Sequence, residues 1–515
     1  MRTVPGRTEH VVVVGAGLAG LAATLHLLAA GRRVTLLERG PHPGGRAGRL
    51  DLTGPAGRYL VDTGPTVLTM PDLVDATLGA VGRKLADYCE LVRLDPAYRA
   101  RFADGSTIDV HTDADAMEAE IAERIGPADA AGYRRLRRWL TELYRAEIDS
   151  FIGSNMDSPL SLLTPDLARL AALGGFGRLG GRISRFVRDE RLRRLFSFQA
   201  LYAGVAPSRA LAAYGVIAYM DTVAGVWFPR GGMRALPEAL ASAAAGAGAD
   251  IRYRTEVTGL VSRGGRAVGL RVRDGAGELG QVPADAVVLT PDLPVARRLL
   301  RREPRRPVPL RWGPSAVVLH GGGAPSTAGP SDLAHHTLSF GAAWDETFEQ
   351  ILRRGQLMSD PSLLLTRPTA SDPALAPPGH QLYYLLAPCP NTASARLDWP
   401  RLGAAYAEEL LDVLDRRGLP EMRASIETSH LVTPSDWAAQ GLAAGTPFSA
   451  AHTFAQTGPF RPRNLPAGWS NVVLAGCGTT PGVGVPPVLI SGRLAALRIT
   501  GTPGSRAGRG AAHLG

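Results

Sequence analysis

The most legible feature of the chain is a short run at residues 10–14, His10 followed by four valines. Consecutive β-branched residues cannot alternate between core and solvent. The run therefore predicts a strand buried on both faces, as in a parallel sheet. Residues 21–30, rich in Ala and Leu, predict a helix ended by Gly31, and Val34, Thr35, Leu36 and Leu37 predict a second strand. The same alternation returns far downstream. Residues 236–245 predict an alanine-rich helix, 251–253 and 257–260 strands, Gly264 and Gly265 the break of a strand pair, and 286–289 another buried strand. Near the end, residues 471–476 predict a strand closing on glycine, followed by a loop and a helix from about Val488 through Ala496. Assembled, these pieces predict a doubly wound sheet with a covering β-ribbon.

The stretches between them carry a different pattern. Residues 133–140 read Tyr-Arg-Arg-Leu-Arg-Arg-Trp-Leu, and 167–196 set Arg178, Arg182, Arg185 and Arg188 among Leu, Phe and Ile. Both predict basic amphipathic helices, packed on a core or lying in a membrane interface. The expected fold class is α/β: a Rossmann-type nucleotide domain assembled from discontinuous segments, with an α+β substrate domain. The expected segments are 1–111, 224–293 and 467–501 for the nucleotide domain, 112–223 for a helical substrate or membrane-facing region, 294–466 for the substrate domain, and 502–515 for a disordered tail.

Composition narrows the function classes. A hydrophobic content of 45% supplies enough apolar material for two cores. The net charge of +10 comes from arginines dispersed along the chain, with Lys84 the single lysine. No interleaving of basic and aromatic residues suggests base stacking, so no nucleic-acid partner is expected. Cys89, Cys389 and Cys477 are widely separated and form neither a disulfide framework nor a metal-ligand spacing, so no metal is expected. With no signal-peptide core at the start and no apolar run long enough to span a bilayer, the expected location is cytoplasmic.

The chemistry is concentrated at the turns. Gly15, Ala16, Gly17, Leu18, Ala19 and Gly20 follow the first strand at once and match the dinucleotide fingerprint. The glycines allow a tight turn, close approach of a pyrophosphate, and close packing of helix on strand. Glu38 closes the second strand, 18 residues beyond Gly20, where an acidic side chain accepts hydrogen bonds from a ribose. Gly44, Gly45 and Arg46 come next, then Asp62, Thr63, Gly64, Pro65 and Thr66. An arginine there can pair with phosphate oxygens in bidentate fashion.

These motifs, taken together, resemble those of the bacterial phytoene desaturases, the carotenoid-forming branch of the amine-oxidase-like flavoproteins. Residues 44–47 with 62–67 are similar to the family's N-terminal block, and 195–199 and 225–232 to its middle blocks. Residues 333–337, 383–388, 452–454, 460–462 and 478–486 match further blocks, so the resemblance runs from about residue 10 to 500. Two departures stand out: Thr480 occupies a position where relatives often carry His, and no acidic residue follows Ala475 and Gly476.

The resemblance implies FAD as cofactor and phytoene as substrate, desaturated stepwise to a carotene such as lycopene. The implied cofactor contacts are Gly15, Ala16, Gly17, Ala19, Gly20, Glu38, Arg39, Gly44, Gly45, Arg46, Gly64, Pro65, Thr66, Val257, Gly476, Val485, Pro486 and Val488. Candidate substrate-tunnel residues are Tyr202, Trp227, Phe228 and Phe454. His335, His336, His452 and Asp436 are the polar groups to inspect as proton acceptors, with no catalytic residue assigned. A lipid-soluble substrate also implies peripheral contact with membrane lipid, through residues 133–196. A later carotenoid intermediate, or more remotely an amine, is the alternative substrate. The sequence assigns no oligomeric state.

Overall fold

The computed structural model describes residues 1–301, 308–324 and 333–501; the tail expected at 502–515 lies outside them. Five parallel strands form the first sheet, in the order Val472–Leu474, Ala286–Leu289, His10–Val14, Arg33–Leu37 and Asp250–Arg252. The valine run is buried on both faces, as its pattern demands. Val11 and Val13 pack into the cluster that holds the helices Leu18–Ala29, Ala235–Gly246 and Val485–Thr500. Val12 and Val14 face the other way, onto the antiparallel strands Glu256–Arg263, Arg266–Arg273 and Leu279–Pro283 and the helix Leu293–Leu300. That three-stranded sheet is the covering ribbon the sequence predicts.

The last helix begins at Val485 rather than near Val488. Pro486 and Pro487 cause the discrepancy: they read as a break in sequence, yet proline fits the first helical turn, where its missing N–H has no partner to lose. The expected helix over 167–196 divides into Pro165–Ala172, Leu179–Ile183 and Glu190–Leu195. Gly174, at φ +74°, ends the first piece, and Asp189 caps the start of the third. The prediction around 133–140 is met by the helix Pro127–Glu147, which buries Leu136, Trp139, Leu140 and Leu143 at helical spacing.

The second sheet has seven strands in the order Thr428–Val432, Ser315–Gly323, Gln381–Cys389, Leu363–Thr366, His336–Ser339, Tyr98–Arg101 and Thr107–Val110. Its last two members correct the boundary expected at residue 111. Tyr98–Arg101 pairs parallel with His336–Ser339 and antiparallel with Thr107–Val110, so residues 98–110 extend the substrate sheet. The alternation of buried Tyr98 and Ala100 with half-buried arginines marks a half-buried strand but says nothing about which sheet it joins. One face of this sheet is covered by the helix Trp399–Arg416. The other looks toward the helical region and the first domain, where the candidate site lies.

Candidate functional site

The glycine turns are shaped by backbone contact. Gly15 has φ +99° and donates its N–H to Leu37 O at 2.8 Å, tying the turn to the second strand. A Cβ on Gly20 would lie 1.9 Å from Gly15 O, so only glycine lets the helix Leu18–Ala29 start this close to the strand. Gly44 donates to Ala16 O at 2.9 Å, and a Cβ on Gly45 would come within 3.3 Å of Gly17 Cα. The 44–45 turn is thus laid directly on the fingerprint turn. A Cβ on Gly64 would lie 1.9 Å from Arg46 O, which brings Pro65 and Thr66 alongside as well.

Glu38 accepts from the N–H of Ala16 and of Gly40, each at 2.7 Å. Thr255 N–H donates to Glu38 O at 2.8 Å, which places Val257 beside this end of the site. Arg39 reaches across to Gln440 O at 2.7 Å. At the other end Gly476, at φ +104°, stands against Ala19, its N–H bound to Ser491 Oγ at 3.0 Å. Val485, Pro486 and Val488 open the buried helix that follows. The intervening loop is held by Arg461, only 2% exposed, which donates to Cys477 O at 2.9 Å and Thr479 O at 3.0 Å.

Arg46 is held by protein partners on two sides. Its guanidinium pairs with Asp292 at 2.9 Å and donates to Pro447 O at 3.2 Å. The Pro447 contact ties the 44–45 turn to a segment distant in sequence. The Asp292 side chain is 2% exposed and could not be left without a cation cheaply.

Between the seven-stranded sheet and the helices lies a layer of aromatic and polar side chains. Tyr98 meets His336 at 5.4 Å between ring centroids and Phe198 at 5.8 Å, while Phe228 meets His335 at 4.6 Å. Tyr202 joins through Phe198 at 6.0 Å. It is half-buried and also meets Phe448 at 6.3 Å. Trp227 borders the layer, its N–H donating to Leu68 O at 2.8 Å. Of the four tunnel candidates, Phe454 is corrected: it is 62% exposed and packs with Phe460 on the outer surface. The turn carrying it, Phe454–Gln456, buries only Gln456.

The polar candidates separate in the same way. Asp436 is exposed and caps its own helix, accepting from Thr433 N–H at 2.8 Å. His452 is half-buried, lies close against Gly482 and bonds the Tyr214 hydroxyl at 3.0 Å. Burial, aided by the Arg461 charge, pushes its imidazole well below the ordinary histidine range. Burial pushes His335 down to about 3 and His336 further, so both are neutral near pH 7. His336 Nδ1 pairs with Thr366 Oγ1 at 3.0 Å, and that hydroxyl reaches Thr66 Oγ1 at 3.4 Å. The inner layer is therefore linked to the turn expected beside the flavin.

Sequence reasoning passed over Asp221 and Asp292, and gave Asp62 no role of its own. Asp62 takes the N–H of Met233 at 2.7 Å and of Arg234 at 3.1 Å. The signal for Asp221 was present: it is the sole ionisable acid in the apolar stretch 215–228. Among the described residues, no group of His, Cys, Asp and Glu could hold a metal ion, and no helix is long and apolar enough to cross a membrane.

A glycine turn and an uncapped helix N-terminus at the carboxyl edge of one parallel sheet define the class of dinucleotide-binding folds. The chain matches the family described as flavin containing amine oxidoreductase over residues 18–500. It is 64% identical over 513 residues to the phytoene dehydrogenase of Streptomyces griseus, covering 99% of both chains. It is 36% identical to the zeta-carotene-forming phytoene desaturase of Myxococcus xanthus, covering 95% of this chain and 94% of that one. Among solved structures, an oxidoreductase from Methanosarcina mazei matches with a TM-score of 0.61 at 18% identity, covering 94% of this chain and 98% of that one. Putrescine oxidase bound to putrescine matches with 0.58 at 15% identity, covering 96% and 99%. At such identities the solved structures show the fold. The chain belongs to the flavin containing amine oxidoreductases and, within them, to the carotenoid desaturases.

The cofactor is FAD, and the residues present fit it. The helix Leu18–Ala29 has Gly17 at its N-cap, no side-chain cap and no acid in its first turn, which leaves its N–H groups to an anion. The helix Val485–Thr500 begins behind Gly484 with no side-chain cap and no acid in its first turn, though Pro486 and Pro487 supply no N–H there.

Proposed function

We propose that the protein is an FAD-dependent carotenoid desaturase that converts phytoene to a more unsaturated carotene such as lycopene. The observation that carries this reading is the link from the cofactor cradle, through Thr66, to an enclosed aromatic layer rather than to a polar, solvent-open cleft. The curated relatives, named as enzymes of phytoene, support the same substrate. When bound, FAD supplies the hydride acceptor. The chain's own residues do the rest. Tyr98, Phe198, Tyr202 and Phe228 offer apolar faces to a polyene and exclude water, and aromatic faces offset positive charge developing on the substrate.

Co-expression with enzymes that form phytoene tests the reading. A coloured polyene is expected; phytoene recovered unchanged, from cells containing the flavin-loaded protein, rules the reading out.

We propose further that the protein rests on a membrane surface, where such a substrate resides. The supporting observation is a group of exposed apolar side chains on two adjoining segments. Leu160 and Leu163 are each 74% exposed, and Phe454 and Phe460 are 62% and 41% exposed. The segments meet: Asn464 Nδ2 donates to Asn155 Oδ1 at 2.7 Å, and a Cβ on Gly458 would lie 3.6 Å from Met156 Sδ. The arginines of residues 133–196 contribute less than their number suggests, because Arg134, Arg145, Arg169, Arg191 and Arg194 are ion-paired within the fold.

A further inference from the structure

A carotene has no polar group, yet the inner layer contains a cluster of buried polar atoms that lack partners. Asp221 is 5% exposed and sits in the π-helical turn Met220–Ala224, just ahead of Trp227 and Phe228. Irregular turns of this kind recur where a side chain must be aimed. Its carboxyl is met by the Tyr98 hydroxyl and the Gln199 side chain, while Gln199 Oε1, His335 Nε2 and His336 Nε2 have no hydrogen-bond partner. Orphaned buried groups cost roughly 1–3 kcal/mol each, so three in one layer call for an explanation.

We infer that Asp221 is the group that receives the proton lost from the substrate in each desaturation. This rests on the desaturase reading above. The step balances as follows. One substrate carbon loses a hydride to the oxidised flavin, which is thereby reduced. The adjacent carbon loses a proton to the Asp221 carboxylate. The electron pair left behind becomes the new C=C bond. A carboxylate here also opposes the positive charge that appears when hydride departs first.

Placement and chemistry both favour Asp221 over its neighbours. The contacts Thr66 to Thr366, Thr366 to His336, and His336 to Tyr98 run from the flavin-side turn to this carboxyl. The titratable groups that face Asp221 are the Tyr98 and Tyr202 phenols. Burial pushes its carboxyl up to about 7, against the weaker pull of Tyr98 and Gln199 in the opposite direction. A proton acceptor works best when its pKa lies near the working pH. His335, pushed down to about 3, is far too weak a base.

The test compares FAD-loaded wild type with Asp221→Asn, Asp221→Glu and Tyr98→Phe. With phytoene in liposomes, Asp221→Asn is expected to lose at least about 100-fold in rate, flavin content being retained. Asp221→Glu is expected to recover part of that loss. The wild-type rate is expected to rise with pH through about 7. Tyr98→Phe is expected to move that rise to higher pH, since losing a donor to the carboxylate raises its pKa.

A second readout needs no turnover. Infrared difference spectra of the substrate-free holoprotein, taken between about pH 5 and about pH 9, should contain a carboxylic acid band absent from Asp221→Asn. If Asp221→Asn desaturates within about threefold of wild type, or the Tyr98→Phe profile does not move, the role is refuted. Should Asp221→Asn lose its flavin, the Tyr98→Phe profile decides. An inactive wild type whose band still titrates overturns the desaturase reading, and the role falls with it; an active wild type beside an equally active Asp221→Asn overturns the role alone.

Discussion

Glu147 is a buried carboxyl whose contribution to stability depends on pH. It ends the helix Pro127–Glu147, is 6% exposed, and leaves Oε1 without a partner. Burial pushes its carboxyl well above the usual range. The folded protein therefore keeps this proton while the unfolded chain releases it above about pH 4. Stability is full below the unfolded pKa and declines as pH rises toward the folded one. Glu147→Gln keeps the shape and removes the ionisation. It should match wild type in thermal midpoint near pH 4 and exceed it by a widening margin at higher pH. Parallel midpoint curves would contradict this assignment. At this scale the glycines were legible because their reason is local: the Gly15–Gly20 contact lies within one turn. Asp221 and Glu147 were not, because their surroundings come from distant segments.

Among the elements, the helix Ala235–Gly246 is anchored by a residue from another segment. Asp62, 8% exposed, accepts the Met233 and Arg234 N–H groups and so fixes the glycine-rich approach at 231–232. Burial raises its carboxyl to about 6 despite those bonds. Asp62→Ala would leave two backbone donors unpaired, at about 1–3 kcal/mol. A lower urea midpoint with an unchanged slope is expected; an unchanged midpoint would show that the approach holds itself. Helix and strand identities in the nucleotide domain followed from pattern, since apolar runs and glycine stops act over a few residues. The divided stretch 165–195 did not, because its arginines satisfy both a helical stripe and the local ion pairs that replace it.

At the scale of the whole molecule, the N-terminal segment is fastened to the 294–466 stretch by Arg46 on Pro447 O and Arg39 on Gln440 O, and the outer surface carries the apolar group formed by 160–163 and 454–460. Inserting each such side chain into lipid contributes about 2 kcal/mol. Wild type should float with anionic liposomes, and Leu160→Asp combined with Phe454→Asp should leave most of the protein in the soluble fraction without changing its thermal midpoint. Equal flotation of the two would place the membrane-facing surface elsewhere.

The sequence by itself determined the cofactor end of this protein. A valine strand, a glycine turn, a glutamate closing the second strand and a second glycine turn act through sterics and backbone hydrogen bonds that span few residues. Even the distant loop at 476–487 could be assigned, because it repeats that local logic. Tertiary structure alone decided the rest: that residues 98–110 pair with the substrate sheet, that Arg46 meets Asp292, that Phe454 faces outward, and that Asp221 is enclosed with Tyr98 and Gln199. Those outcomes depend on which long-range contacts form, and burial, which sets the proton affinity of Asp221, is a property of the assembled core.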